Sequence, residues 1–124
     1  IIATDHAPHD LIDKEVEFSK ACFGIVGLET ALPLTLKMVD KNIISLEKAI
    51  NMLTFKPSHI FDLDKGSLGV GKIADITIFN DKEEYTIDSR KFKSRSKNSP
   101  YNGWKVRGKV LQTIVNGKTV FKSN

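Results

Sequence analysis

Asp5 follows the apolar run Ile1-Ile2-Ala3-Thr4 and opens Asp5-His6-Ala7-Pro8-His9, a carboxylate with two imidazoles close behind it. A carboxylate at the mouth of a buried strand can ligate a divalent cation. It can also take a proton from water that the cation activates. In a barrel of parallel strands, residues at the C-terminal ends of the strands face the active site. The same pattern fits an Asp that caps a loop beside two surface histidines, because D-x-x-x-H spacings are common. Catalytic zinc takes about three protein ligands and an open position. The only other histidine, His59, lies far along the chain, so this stretch is an incomplete metal site.

The elements that must position these residues are legible in the hydrophobic pattern. Ile1–Thr4 is short, apolar and β-branched and reads as a buried strand. His9–Ala21 reads as a long polar loop, and Phe23–Gly27 as a glycine-punctuated turn. Leu28, Leu32, Thr35, Leu36 and Val39 recur at helical spacing, with Pro33 in the first turn, where its missing N–H costs little. Ser45 is a good N-cap for a helix whose apolar face is Leu46, Ala49, Ile50 and Leu53; Lys48 at the third position leaves the capping box incomplete. Lys56-Pro57-Ser58 starts another short helix, ending near Leu63. After Gly66 the texture changes. Residues 74–79 alternate with period two and predict a strand. Val110–Val115 and Thr119–Phe121 flank Asn116-Gly117, the dipeptide of a tight hairpin turn. The chain therefore reads as helical in its first half and β in its second.

Composition bounds the rest. The 124 residues amount to one domain, or a piece of a larger one. A chain that opens inside a strand, without Met, is expected to be such a piece. The formal charge of +4 permits weak attraction to anions without demanding nucleic acid. The single cysteine, Cys22, allows no internal disulfide and favours a reducing compartment, so a cytoplasmic protein is expected. No apolar run approaches the ~20 residues that span a bilayer, and the first residues lack the basic start of a signal peptide.

Other features favour structural readings. Gly66 to Lys72 satisfies G-x-x-x-x-G-K, but Ile73 stands where a phosphate loop needs Ser or Thr, and a strand follows where it needs a helix. The basic run Arg90–Lys97 reads as a solvated loop, since no nucleic-acid module surrounds it. Cys22 reads as a small, semi-buried filler and not a reactive thiol. His59 reads as a partly buried helix residue. Trp104 and Tyr101 read as packing of the C-terminal segment.

Four segments, in order, carry a family resemblance. Ala3-Thr4-Asp5-His6-Ala7-Pro8-His9 resembles the last barrel-strand motif of the dihydroorotases, within the amidohydrolase superfamily. Phe23-Gly24-Ile25-Val26-Gly27-Leu28-Glu29-Thr30-Ala31 resembles the glycine-rich segment before their last barrel helix. Lys65-Gly66-Ser67-Leu68 through Gly71-Lys72-Ile73-Ala74-Asp75-Ile76 resembles the superfamily's re-entry into its small β domain. Ser96-Lys97-Asn98-Ser99-Pro100-Tyr101 through Gly103-Trp104-Lys105-Val106 resembles the type I C-terminal stretch. Hydantoinases and allantoinases share the Asp and the β re-entry, but Ala7-Pro8-His9 fits the dihydroorotases better.

The resemblance implies an α/β fold: the C-terminal part of a (β/α)8 TIM barrel at 1–64, with its last strand and helices. Residues 65–124 would supply strands of the small β-sandwich domain and a tail packed on the barrel. It implies a hydrolase of cyclic amides that interconverts N-carbamoyl-L-aspartate and (S)-dihydroorotate in pyrimidine biosynthesis, with one or two Zn2+ per complete site. Asp5 matches the metal-ligating general base, and His9 the histidine that binds the substrate carboxylate. Phe23 and Gly24 match the substrate-contacting pair, acting through backbone groups. His6 is left as a structural or supporting residue. The remaining ligands would lie in an N-terminal part of the same enzyme, and the fragment alone is expected to be inactive. A homodimer or a complex with aspartate carbamoyltransferase is a possible assembly. The alternatives are a non-catalytic dihydroorotase-like scaffold for that transferase, or an amidohydrolase of hydantoin or allantoin type.

Overall fold

The computed structural model describes residues 1–123 and carries a helical half followed by a three-stranded antiparallel sheet. The helices are α1 (Leu11–Lys14), α2 (Ala31–Asp40), α3 (Leu46–Leu53) and α4 (Phe55–Ile60). A 3-10 turn at Leu28–Thr30 runs directly into α2. The strands are β1 (Ile76–Thr86), β2 (Lys105–Val115) and β3 (Lys118–Lys122), in the spatial order β1-β2-β3. The small antiparallel sheet and the helices around it are as the sequence pattern predicts.

Local chemistry explains most boundaries. Ser45 caps α3 by accepting from the Lys48 N–H at 3.1 Å, as expected. Pro33 falls in the first turn of α2, and Pro57 in that of α4. Asn116 and Gly117 both take positive φ, 49° and 74°, as a two-residue primed turn requires. β1 is longer than the 74–79 alternation because it continues past an irregularity between Asn80 and Glu84. The Asn80 side chain fills that bulge, accepting from the N–H groups of Lys82 and Glu83 at 3.0 and 3.2 Å.

The core is small: Val26, Leu36, Ala49, Ile87 and Val106 are its buried apolar residues. It sits where α2 crosses β2. Gly108 of β2 makes this crossing possible, because a Cβ there would stand 2.2 Å from Leu36 Cδ1. Arg107 locks the same junction, donating to Asp40 at 2.6 Å and to the Asp81 carbonyl.

Two expectations fail at the N-terminal end. Ile1–Thr4 forms no strand. A strand needs a ladder, and the only pairing here among the described residues is a single parallel bridge between His6 and Ile25. The Ile2 N–H donates instead to Met52 of α3 at 3.2 Å, and Ile1 is exposed. The stretch 9–21 is also not all loop, since Leu11–Lys14 closes one helical turn.

Candidate active site

The motif residues lie against the glycine-rich segment 22–27. Beyond the His6–Ile25 bridge, the Ala7 N–H donates to the Ile25 carbonyl at 2.9 Å. His6 Nδ1 then accepts from the N–H groups of Gly27 (3.0 Å) and Leu28 (3.4 Å). These are orphan donors at the start of the helical segment Leu28–Asp40, so His6 acts as its cap. Its ring proton therefore belongs on Nε2.

Asp5 has φ +45°, the left-handed region that a side chain adopts only at some cost. Its carboxylate is exposed and accepts no hydrogen bond among the described residues. The turn at Asp5 therefore presents two free, hard oxygen atoms. That suits one ligand of a divalent cation and supplies only one of the three or so that zinc takes.

His9 is half-buried beside Gly24, its Nε2 3.7 Å from where a Cβ on Gly24 would stand. Gly24 cannot be anything larger: that Cβ would also meet Ala7 Cβ at 2.4 Å, and φ is +108°. The Gly24 carbonyl is fully engaged, accepting from Lys14 Nζ and Asn98 Nδ2, each at 3.0 Å. This narrows the expected backbone contact of Gly24 to its N–H group, while both the N–H and the carbonyl of Phe23 have no partner among the described residues. The Phe23 side chain is 92% exposed.

The structure thus brings His9, Phe23 and Gly24 together and sets Asp5 just before the bridge that aligns them. Lys14 and Asn98, which hold the Gly24 carbonyl, are site residues that the sequence did not single out. Asn98 was signalled only by its place in the C-terminal segment, and it also accepts from the Val26 N–H at 3.0 Å. Lys14 carried no signal at all. Two sizeable hollows, of 660 and 450 Å³, lie at the helix–sheet junction, and neither is lined by Asp5, His9, Phe23 or Gly24. The candidate residues form an open wall.

Lys72 pairs with Asp64, and the segment after it leads into β1 with no helix. Lys91, Lys93 and Arg95 are solvated, but their loop is anchored: Glu29 accepts from the N–H groups of Lys93 and Ser94 at 3.0 and 3.1 Å. Trp104 meets Tyr101 edge-on at 5.1 Å, with Lys37 Nζ 5.5 Å above its ring. Two burial expectations are corrected. Cys22 is exposed, where a semi-buried filler was expected. His59 is exposed as well, stacked on Phe55 one turn away at 5.9 Å.

The pattern of the Amidohydrolase family matches residues 1–120, and the chain belongs to that family. Its similarity narrows further. It is 49% identical over 122 residues to a dihydroorotase of Anaplasma phagocytophilum, covering 98% of this chain and 27% of that protein. It is 46% identical over 121 residues to a dihydroorotase of Geobacter metallireducens, covering 98% of this chain and 28% of the relative. The chain therefore spans little more than a quarter of these relatives' length. Among solved structures, a dihydropyrimidinase from Brevibacillus agri superposes with a TM-score of 0.87 at 26% identity, over 95% of this chain and 27% of its own. An L-hydantoinase from Arthrobacter aurescens gives 0.78 at 36% identity, over 86% of this chain and 24% of its own. No helix among the described residues is long and apolar enough to cross a membrane.

Proposed function

We propose that this chain works as the C-terminal part of a dihydroorotase. Residues 1–64 would belong to a (β/α)8 barrel and 65–124 to the small β domain and its tail. The carrying observation is Asp5, free and exposed in a left-handed turn, on a chain up to 49% identical to proteins named dihydroorotase. The substrate would be dihydroorotate or N-carbamoyl-L-aspartate, handled in the cytoplasm for pyrimidine synthesis.

Asp5 would be one ligand of Zn2+, the others coming from a part of the enzyme that precedes it. Zinc would supply Lewis acidity at the ring carbonyl and lower the pKa of the attacking water. Asp5 would take the proton from that water. It would then return the proton to the ring nitrogen as the amide C–N bond breaks, so one carboxylate serves as base and then acid. His9 would hold the substrate carboxylate by a charge-assisted hydrogen bond. The N–H groups of Phe23 and Gly24 would complete the grip. Lys14 and Asn98 support it by fixing the Gly24 carbonyl, which keeps the peptide from turning.

The hydantoinase-type reading is tested at His9. In the full-length enzyme, His9→Ala should weaken dihydroorotate turnover by about 2–3 kcal/mol, the worth of a bond to a charged group. It should leave a substrate without the carboxylate little changed. Equal loss on both substrates would remove His9 from this role.

A further inference from the structure

The loop between Asp5 and Gly24 gathers a second donor set, which shares only His9 with the proposed reaction. One ligand atom each from His9, Asp13 and Cys22 lies within 4.8 Å of the other two. Asp5 is not in this group. The loop backbone holds the arrangement in place. The Cys22 N–H donates to the Asp13 carbonyl at 3.1 Å, which pins residues 13 and 22 together. Lys14 Nζ, next to Asp13, donates to the carbonyls of Cys22 and Gly24 and closes the loop. The His9 ring lies beside Gly24.

A tetrahedral ion with bonds of about 2.0–2.3 Å spaces its ligand atoms by roughly 3.3–3.8 Å. The ligand atoms therefore stand within an ångström or so of the spacing such an ion needs, a distance side-chain rotation can cover. One thiolate, one imidazole and one carboxylate select a borderline or soft cation over Mg2+ or Ca2+. Cys22 and Asp13 are exposed, so the ion has an entry path and a fourth position open to water.

We propose that His9, Asp13 and Cys22 form a binding site for a thiophilic divalent cation, separate from Asp5, and that filling it inhibits the enzyme by withdrawing His9 from the substrate carboxylate. The inhibitory half rests on the role proposed for His9; the site itself does not.

The test titrates reduced, zinc-loaded, full-length protein with Cd2+ alone. The expected result is a saturable thiolate-to-cadmium ultraviolet band, with inhibition competitive against dihydroorotate. Cys22→Ser should abolish the band and relieve the inhibition while leaving cadmium-free kcat and KM unchanged. Asp13→Asn keeps the thiol and should weaken Cd2+ by about tenfold or more, since even outer contacts to a metal cost that much. A band unmoved by Asp13→Asn marks a lone thiol and overturns the site. Binding that needs Cys22 and Asp13 but leaves turnover untouched overturns the inhibitory half alone. If the wild-type protein turns over no dihydroorotate, the proposed reaction fails, and the band still decides the site.

Discussion

Asp5 and Gly24 show how single residues shape this wall. Asp5 spends backbone strain to turn its carboxylate outward. Gly24 is required because Ala7 stands where its Cβ would be. Gly24→Ala should therefore destabilise the full-length protein by about 1–3 kcal/mol through overpacking and the positive φ. Denaturant unfolding would measure this, and a loss near zero would mean that the 7–24 contact yields freely. His6 was legible only as a supporting residue. Its neighbours on the chain gave no hint that it caps a helix starting at Leu28, because the contact depends on residues 6 and 27 meeting in space. His6→Ala should cost about 1 kcal/mol, as losing a cap does, read by the same unfolding measurement.

The elements were legible where chemistry is local. Ser45, Pro33 and Asn116-Gly117 act on their immediate neighbours, and the caps and turns they predict are present. The strand expected at Ile1–Thr4 failed because a strand is defined by its partner, which no run of β-branched residues contains. Asp75 ties the hairpin to the segment that enters it. Its carboxylate accepts from the Asn116 N–H at 2.7 Å and pairs with Lys65. The Lys65 hydrogen bond, followed by that N–H, holds the Asp75 carboxyl below its ordinary value of 3.8. A depressed carboxylate stabilises the fold above its unfolded-state value. That contribution fades as the pH falls through the lower folded-state value. Acid unfolding should thus be shallower in Asp75→Asn than in the parent, and the variant should be the less stable of the two near neutral pH. Identical acid profiles would separate Asp75 from the hairpin's stability.

At the scale of the whole molecule, apolar exposure dominates. Among the described residues, five buried apolar ones sit beside a long series of exposed ones, Phe18 at 94% and Phe23 at 92% among them. Surfaces of this kind are normally covered by another body. Composition could not reveal this, since ordinary apolar content says nothing of how much is buried. The chain's span of little more than a quarter of its relatives fits the same picture. The 124 residues alone should bind a dye that reports exposed apolar surface, and with added zinc should give no dihydroorotate turnover. Turnover by that chain alone would contradict the division of the site.

The most direct measurement is made on Asp5. In the full-length enzyme loaded with zinc, Asp5→Asn removes the proton acceptor and keeps the size of the side chain. Its kcat for dihydroorotate should fall by about 10²–10⁴-fold, the usual worth of general acid–base catalysis, in a protein that still folds. A variant that turns over dihydroorotate at the parent rate would contradict the role proposed for Asp5.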